Sequence, residues 1–362
     1  MSSPYQITAG DVLYTVVNDC TTSYLALVTG AVTDEILGEL FAPDLTVETD
    51  RADLTSKTTA NGLFAITGYP DQSFPDHATK SYPLFSFKVK APGFREQTVH
   101  LPIMAGLPFP VVPPSVVVLR RLPVRIQGRV VDDLTRAPIA GVLVLSVDDP
   151  ITPPAIHTTA VRSPLYFDHA AGTAAQLVTV APSGTAKLQI PAVAGTQVIN
   201  LDTRSGLAAN SIVRLSPNSN LVIEYGVVDH LGPGPAASAG DVFLRNALNR
   251  SYPVWPASTM QFVSATPTGA VANLSKDANT GDGVLLANQL LNGTTLVVDA
   301  GTAVAEYHEV GATTDSEGYY SLDGMGRVKE IFLHSSSGPL QETVGWFIEY
   351  DHATNVVDLR LS

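Results

Sequence analysis

The side chains that could most readily do chemistry are histidines that directly follow an aspartate, as four of the eight histidines do. A carboxylate beside an imidazole could orient it as a base or share a metal ion with it. However, adjacent residues of a strand point to opposite faces of the sheet, so the dipeptide alone forms neither a catalytic dyad nor a metal site. We therefore interpret these pairs as solvated turns, at Asp76-His77, Asp168-His169, Asp229-His230 and Asp351-His352.

Motifs of known enzyme classes are missing from the sequence. His308-Glu309 is not followed by the second histidine that a zinc-peptidase H-E-x-x-H motif requires. There is no G-x-S-x-G nucleophile elbow and no glycine-rich phosphate or dinucleotide motif. Paired carboxylates for glycosidic cleavage stay open, because they can lie far apart in the chain. The sequence predicts no catalytic, cofactor-binding or metal-binding residue, no cofactor, and a protein that is not an enzyme.

Asp277–Gly283 is the best candidate for a cation site. Asp277, Asn279 and Asp282 carry oxygen ligands, and two glycines allow a tight turn. The segment departs from the EF-hand pattern, which places glycine sixth and a glutamate twelfth; here Gly281 is fifth and Asn288 is twelfth. We favour a plain turn closed by aspartate and asparagine side chains over bound cation.

Two aromatic residues in a proline-bracketed loop are the best candidates for contact with a partner. Tyr252 and Trp255 lie in the segment Ser251–Pro256. Exposed aromatic rings on a loop can stack on a sugar or anchor a protein partner. They can equally cover a domain core, and that alternative stays open. We predict Tyr252 and Trp255 as candidate partner or glycan contacts, and Trp346, on an alternating strand, as a core residue.

The composition indicates an all-β protein. Of the 362 residues, 45% are hydrophobic and only 15% are charged, and there are 28 Gly and 26 Pro. Thr, Ser, Asn and Asp supply most of the polar surface, and these residues suit strands and turns better than helix interiors. The chain is long enough for two or three domains.

Charge and targeting signals exclude several partner classes. A net charge of −13 argues against nucleic acid and against an anionic membrane. Cys20 is the single cysteine, which excludes an intrachain disulfide framework. The first residues lack the basic and apolar regions of a secretory signal, so we expect cytoplasmic synthesis without an evident signal peptide. Prolines interrupt the apolar stretch Leu101–Leu119, which we interpret as a stiff, extended connection and not a membrane span.

The chain contains an internal duplication. Val28–Asp34 resembles Ile126–Asp132, and each reads as an alternating strand that ends in an Asp-led turn. Thr58–Gly68 aligns with Thr314–Gly324, sharing Thr, Gly, an aromatic residue, an aliphatic residue and Gly at the same spacing. The shared pattern predicts a strand, a turn whose glycine has positive φ, and a strand with one apolar face.

A third pair of segments is expected to close each unit. In the first copy Phe85, Phe87 and Val89 alternate before the turn Ala91–Phe94. In the second copy Val344, Trp346, Ile348 and Tyr350 alternate, and no glycine equivalent to Gly93 follows them.

These motifs together resemble the carboxypeptidase regulatory-like domain family. The similarity covers residues 24–121, and in pieces 124–149 and 311–362. The resemblance implies a transthyretin-like fold of two packed antiparallel sheets. It also implies a stabilising or adhesive module without catalytic residues, so no active site is transferred to this chain.

More than 150 residues separate the two parts of the second copy, which is far longer than a loop in a compact domain. We therefore predict an inserted domain. The expected fold is all-β, with tandem Ig/transthyretin-like β-sandwiches and a β-rich inserted domain; within the insertion, Val242–Leu248 and Val284–Leu291 could each form a short helix. The predicted boundaries are an N-terminal arm at 1–22, a first sandwich at 23–122, a second sandwich split between 123–150 and 311–362, and the insertion at 151–310.

This organisation favours a non-enzymatic structural or interaction protein. We expect an oligomeric or assembled bacterial protein whose partners are other protein subunits, in a phage-tail-like or contractile injection particle, with no membrane insertion. That step is an analogy at the level of fold. Alternatives are a surface adhesin or glycan-binding protein and, less favoured, a glycan-processing enzyme. The arm has Val12, Tyr14 and Val16 at alternating positions and is expected to add a strand to a neighbouring subunit.

Overall fold

The regular secondary structure of the chain is almost entirely β-strand, which confirms the predicted all-β class. The computed structural model describes residues 13–17, 20–36, 38, 44–217, 222–254, 258–293, 295–299 and 305–362. Within these ranges there are 26 strands and a helix of four residues. No helix in this part of the chain is long and apolar enough to cross a membrane. Contacts divide the chain into two compact units, 1–122 and 123–362.

The first unit consists of two sheets with an apolar core. Its elements are β1 (Leu13–Val17), β2 (Cys20–Asp34), β3 (Thr46–Thr49), β4 (Thr55–Thr58), β5 (Leu63–Gly68), α1 (Pro70–Ser73), β6 (Ser86–Lys90), β7 (Gln97–His100) and β8 (Val117–Leu119). One sheet has the order β1-β2-β5-β4, with β8 parallel to β2, and the other has the order β3-β6-β7. Fully buried residues alternate with less buried ones along β5 and β6, as two packed sheets require.

The proline-rich segment 101–119 belongs to this sandwich, so its prediction as a stiff connection was wrong. Ile103, Val117 and Leu119 are buried in the core with Phe64 and Phe87. The prolines stop the segment from forming a helix, but they do not prevent single residues from pairing with a strand.

The arm forms a strand within the same chain. Residues of β1 pair antiparallel with residues 20–24 at the start of β2. Met1–Val12 lies outside the described residues, so the expected addition of a strand to a neighbouring subunit stays a prediction.

The second unit contains the remaining strands. They are β9 (Val124–Asp132), β10 (Leu143–Val147), β11 (His157–Ala160), β12 (Ala174–Ala186), β13 (Val198–Leu201), β14 (Ile212–Pro217), β15 (Glu224–Leu231), β16 (Gly240–Leu244), β17 (Ser258–Asn273), β18 (Val284–Ala287), β19 (Thr295–Asp299), β20 (Ala305–His308), β21 (Ala312–Thr313), β22 (Tyr319–Met325), β23 (Glu330–Ser337), β24 (Leu340–Phe347), β25 (Thr354–Val356) and β26 (Leu359–Leu361). β9 lies in a sheet with β22, β25 and β26, and β10 in a second sheet ordered β21-β10-β23-β24. Strands distant in sequence thus share both sheets.

The aligned segments occupy equivalent positions with the same register. The first aligned strand is β2 in one copy and β9 in the other. β2 pairs antiparallel with β5 and parallel with β8, and β9 pairs antiparallel with β22 and parallel with β26. The pairs are Ala31 with Leu63 and Arg129 with Tyr319 on the antiparallel side, and Val32 with Val117 and Val130 with Leu359 on the parallel side. The duplication seen in sequence is therefore a structural repeat, while the domain boundaries at 150 and 310 stay predictions.

The glycine and aromatic residues that the two copies share have structural roles, in turns and in packing. Gly62 and Gly318 have φ of 75° and 78° in equivalent turns, a conformation in which glycine is not strained. Gly30 and Gly128 pair with Phe64 and Tyr320, whose rings lie over the missing side chain.

The Asp-led turns form as predicted. Asp34 Oδ1 accepts the backbone N–H of Ile36 at 2.6 Å, and Asp132 Oδ1 accepts that of Thr135 at 2.6 Å.

The third alignment of the repeat was wrong. By position beside β10, the equivalent of β6 is β23 and not the strand with Trp346. The hairpin after β23 contains Gly338 with φ of 60°, so the second copy does have a positive-φ glycine there. Trp346 lies one strand further, on β24, where it packs against the core.

The segments between β10 and β21 form an eight-stranded sheet ordered β13-β16-β15-β14-β17-β12-β19-β20, and a two-stranded sheet of β11 and β18. β20, at the end of the order, contacts β15, so the sheet curls back on itself. Both predicted helices were wrong, because Val242–Leu248 and Val284–Leu291 begin as β16 and β18. Their β-branched and aliphatic residues fit these buried strands equally well.

Candidate functional site

The predicted contact residue Tyr252 is in the core, so its prediction as a surface contact was wrong. Its side chain is 1% exposed, and its hydroxyl donates to Glu224 Oε2 at 2.7 Å. A tyrosine becomes buried where its ring packs and its hydroxyl finds a partner. Trp255 lies outside the described residues.

One Asp-His pair departs from its interpretation as a solvated turn. His169 is buried and its Nε2 lies 2.6 Å from Glu306 Oε1. His230 and His352 are exposed, and His77 is half-buried. The solvated-turn interpretation was therefore wrong for His169.

Asp277–Gly283 is a turn held by protein donors. Asp277 Oδ1 accepts the backbone N–H of Ala171 at 2.8 Å, and Asp282 Oδ2 accepts that of Asn279 at 2.8 Å. Asp282 also pairs with Arg327 at 3.4 Å. A cation would have to displace a guanidinium, which agrees with the favoured turn. Among the described residues no group of three or more His, Cys, Asp or Glu side chains is arranged to hold a metal ion.

Glu306, on β20, is the centre of a buried polar cluster that we call the Glu306 network. Its carboxylate accepts hydrogen bonds from the backbone N–H groups of Tyr166 at 2.7 Å and Phe167 at 2.9 Å. The imidazoles of His169 and His308 contact the same carboxylate at 2.6 and 2.8 Å. Burial by itself would raise the pKa of Glu306. The hydrogen bonds from His169 and His308 outweigh burial and lower the pKa to about 2. Glu306 is therefore ionised at neutral pH, and the donors around it compensate the buried charge.

The network continues to Ser163, whose Oγ lies 2.9 Å from His308 Nδ1. The hydrogen-bonded series of a hydroxyl, an imidazole and a carboxylate has the connectivity of the nucleophile, base and orienting group of a hydrolase. Here Ser163 is 4% exposed and both oxygens of Glu306 are occupied by donors. The geometry accounts for a structural role: the network fastens the segment 162–169 to β20.

A second buried carboxylate, Glu224 on β15, fastens the same segment from another direction. It accepts the hydroxyl of Tyr166 at 2.8 Å, the hydroxyl of Tyr252 at 2.7 Å and the backbone N–H of Asn249 at 2.5 Å. Burial first, and then the charge of Glu224, raises the pKa of both tyrosines well above the ordinary value. Both hydroxyls therefore stay protonated and act as donors.

A partly open cavity lies beside this segment, and we call it the arginine cavity. Its volume is about 330 Å³. Arg162 Nη1 lies 3.1 Å from Glu309 Oε2, and the Nε and Nη2 of Arg214 lie 3.2 and 3.1 Å from Glu309 Oε1. The other walls are Leu143, Ile223, Val310, Gly311, Ala312, Thr313 and Thr314. These residues include Val310 and Gly311, which connect β20 to β21.

The two structural repeats differ on the outer face of the sheet that contains β2 or β9. In the first unit this face, here called the apolar face, carries three large exposed side chains: Leu63 at 41%, Val116 at 47% and Val118 at 43% exposure. A groove lined by Leu63, Val112 and Val116 opens beside them, with a volume of about 440 Å³. The full set on the apolar face is Ala31, Leu63, Ala65, Val116 and Val118, and by register its equivalents in the second unit are Arg129, Tyr319, Ser321, Asp358 and Arg360.

Comparison with known proteins gives no family. No family model matches the chain, and no curated protein matches it. Two solved structures of BcpA, the major pilin subunit of Bacillus cereus, are similar to it at 8% sequence identity, covering 92% of this chain and 98% of the pilin chain. Their TM-scores are 0.19 and 0.18, and similarity at this level carries no argument about fold or function.

Sequence reasoning missed the Glu306 network although a local signal for it exists. Glu306 and His308 are two residues apart on a strand and so share one face. The comparison with the H-E-x-x-H motif considers His308 together with Glu309, the next residue in the chain. Glu309 instead contacts Arg162 and Arg214 in the cavity.

Proposed function

We propose that the chain is a structural subunit that assembles with other protein subunits through the apolar face of its first unit. The observation that carries the proposal is that Val116 and Val118 are apolar and exposed where the second unit has Asp358 and Arg360, although Tyr319 and Val356 of the second unit are exposed as well. Packing requires apolar residues on the inner faces of both sandwiches, and nothing in the fold requires them on the outer face of one.

The chemistry of the apolar face favours a protein partner. Clusters of exposed apolar residues are typical of protein interaction sites, because burying them against a second apolar surface removes them from water. The equivalent position of Val116 is Asp358 and that of Val118 is Arg360, so charged residues are compatible with the fold there. The net charge of −13 disfavours nucleic acid and anionic membranes as alternatives.

The finer proposal is a component of a phage-tail-like or contractile injection particle: a baseplate, fibre or decoration protein made in the cytoplasm. Its support is the series of β-sandwich repeats with long strands, an analogy at the level of fold. The resemblance to the carboxypeptidase regulatory-like family is part of the same proposal. The alternative of a surface adhesin that binds through Tyr252 and Trp255 has less support, because Tyr252 is buried and cannot contact a partner.

The test is incorporation into particles. Particles are purified from cells that express the tagged chain, examined by negative-stain electron microscopy and labelled with gold against the tag. We expect labelling at a regular position for the unaltered chain and its loss for the double variant Val116→Asp with Val118→Arg, which copies the residues of the second unit.

Leu134→Asp is the matched control, because Leu134 is 93% exposed and lies outside the apolar face. It should be incorporated normally. Unaltered protein found only outside particles would exclude the particle, and equal incorporation of the double variant would exclude the apolar face as the contact.

A further inference from the structure

We propose that the arginine cavity binds a small ligand that carries one carboxylate and several hydroxyl groups, that is, an acidic monosaccharide of the uronic acid class. This inference is independent of the proposed assembly function, which concerns the first unit.

The charged walls of the cavity favour an anion. Its ionised side chains are two guanidiniums, Arg162 and Arg214, and one carboxylate, Glu309. Arg162 is 2% exposed, and burial is the main cause that lowers its pKa, with Glu309 opposing that effect. The two positive charges of the guanidiniums exceed the single negative charge of Glu309, so a ligand carboxylate would balance the cavity. Because both guanidiniums are buried or partly buried, the low dielectric constant strengthens their attraction to that carboxylate.

The donors at the cavity match a carboxylate. Arg214 donates three hydrogen bonds to described side chains, two to Glu309 and one to Gln261 at 3.1 Å. A guanidinium has five N–H donors in a planar fork, so Arg214 can also donate to a ligand. Guanidiniums bind carboxylates in a planar, often bidentate arrangement.

The remaining walls favour a hydroxylated ring over a simple dicarboxylate. Thr313 offers a hydroxyl group, whereas the hydroxyl of Thr314 already donates to Ile139 and accepts from Val142. Glu309 Oε1 accepts from Arg214 and from the Tyr225 hydroxyl, so Oε2, which accepts from Arg162, is the oxygen that can also accept from a ligand hydroxyl. Leu143, Ile223 and Ala312 give an apolar wall on which the C–H face of a sugar ring can lie. The volume of about 330 Å³ lies within the range of small-molecule pockets, about 300–1,000 Å³. It is much larger than a carboxylate alone needs.

The position of the cavity also suits a binding site. Val310–Thr314 connect the inserted strands to the second sandwich, and Leu143 comes from that sandwich, while Arg214 comes from the inserted sheet. Pockets form preferentially where two packed parts of a protein meet. Gly311 has φ of 70°, and a Cβ there would lie 2.3 Å from the carbonyl oxygen of Val144. The wall thus depends on a glycine at this junction.

The test is direct binding of D-glucuronate to the full chain, measured by titration calorimetry and by saturation-transfer NMR. D-glucose has the same ring without the carboxylate, and inorganic phosphate is an anion without the ring. We expect glucuronate to bind at least tenfold more tightly than glucose or phosphate. Arg214→Gln should weaken glucuronate binding by about tenfold to a hundredfold, the effect of losing a charged hydrogen-bond donor.

Two further variants make the test independent of folding defects. Thr313→Trp places a large side chain in the cavity without removing a charge, and it should abolish binding. Arg136→Gln removes an exposed arginine elsewhere in the second unit and should leave binding unchanged. Absence of glucuronate binding by the folded, unaltered chain would overturn the proposal. So would tighter binding of phosphate, equal binding of glucose, or unchanged binding by a folded Thr313→Trp protein.

Discussion

Replacing Glu306 with glutamine should destabilise the second unit strongly at neutral pH and only weakly in acid. The pKa of Glu306 falls from 4.5 to about 2 in the folded chain, because donors from His169, His308 and the backbone outweigh its burial. Each pKa unit corresponds to about 1.4 kcal/mol, so the ionised carboxylate contributes about 3 kcal/mol to the free energy of unfolding. The amide of glutamine has an acceptor on only one side and would place N–H groups against N–H donors.

The direction of the pH dependence follows from the lowered pKa. The stabilisation is fully present above the unfolded value of 4.5 and is lost as the pH falls through the folded value of about 2. The difference in unfolding free energy between the unaltered chain and Glu306→Gln should therefore be about 3 kcal/mol at pH 7. At pH 3 it should be smaller by about 2 kcal/mol, since the slope is about 1.4 kcal/mol per pH unit in this window.

Urea unfolding followed by tryptophan fluorescence measures the unfolding free energy of the second unit, in which Glu306 lies. Both tryptophans, Trp255 and Trp346, belong to the second unit, so the signal does not report on residues 1–122. Glu317→Gln is the control, because the Glu317 side chain is 68% exposed, and it should change stability by less than about 0.5 kcal/mol. A loss for Glu306→Gln that is the same at pH 3 and pH 7 would refute the role assigned to the ionised carboxylate.

Two further predictions test the packing. Gly128→Ala should lower the thermal midpoint of unfolding more than Gly30→Ala. At position 128 the new Cβ would lie 1.8 Å from the backbone oxygen of Val357, whereas at position 30 it would meet only the side-chain ring of Phe64, at 2.6 Å. Calorimetry that ranks the two variants in the opposite order would contradict this prediction. Arg204→Lys should destabilise the second unit by about 3 kcal/mol in the same fluorescence assay, since the buried guanidinium donates to the carbonyl oxygens of residues 232–238 and an ammonium reaches fewer of them. A loss below about 1 kcal/mol would show that lysine satisfies that loop.

The sandwich repeat could be predicted because its geometry is encoded locally. A turn that needs positive φ selects glycine, as at Gly62 and Gly318. A close strand crossing selects glycine beside an aromatic residue, as at Gly128 and Tyr320. These constraints act within a few residues, so they leave a pattern that can be aligned. The third alignment failed because alternation of apolar residues is common to many strands and does not identify one of them.

The Glu306 network and the arginine cavity could not be predicted in the same way. Glu306 contacts residues about 140 positions earlier in the chain, and no spacing rule connects them. The identity of His169 gave no sign of burial, because aspartate and histidine are common in turns as well. Only the curled sheet brings the segment 162–169 beside β20.

The comparison of the two repeats separates the constraints of the fold from the constraints of function. Inner positions such as Val32 and Val130 are buried in both units and follow from packing alone. Outer positions differ between the units, where Val116 and Val118 of the first correspond to Asp358 and Arg360 of the second. Because the backbone register is the same, the fold cannot account for this divergence. Exchanging Val116 and Val118 for Asp and Arg therefore tests the proposed contact without disturbing the fold, because the second unit carries those residues in the same register.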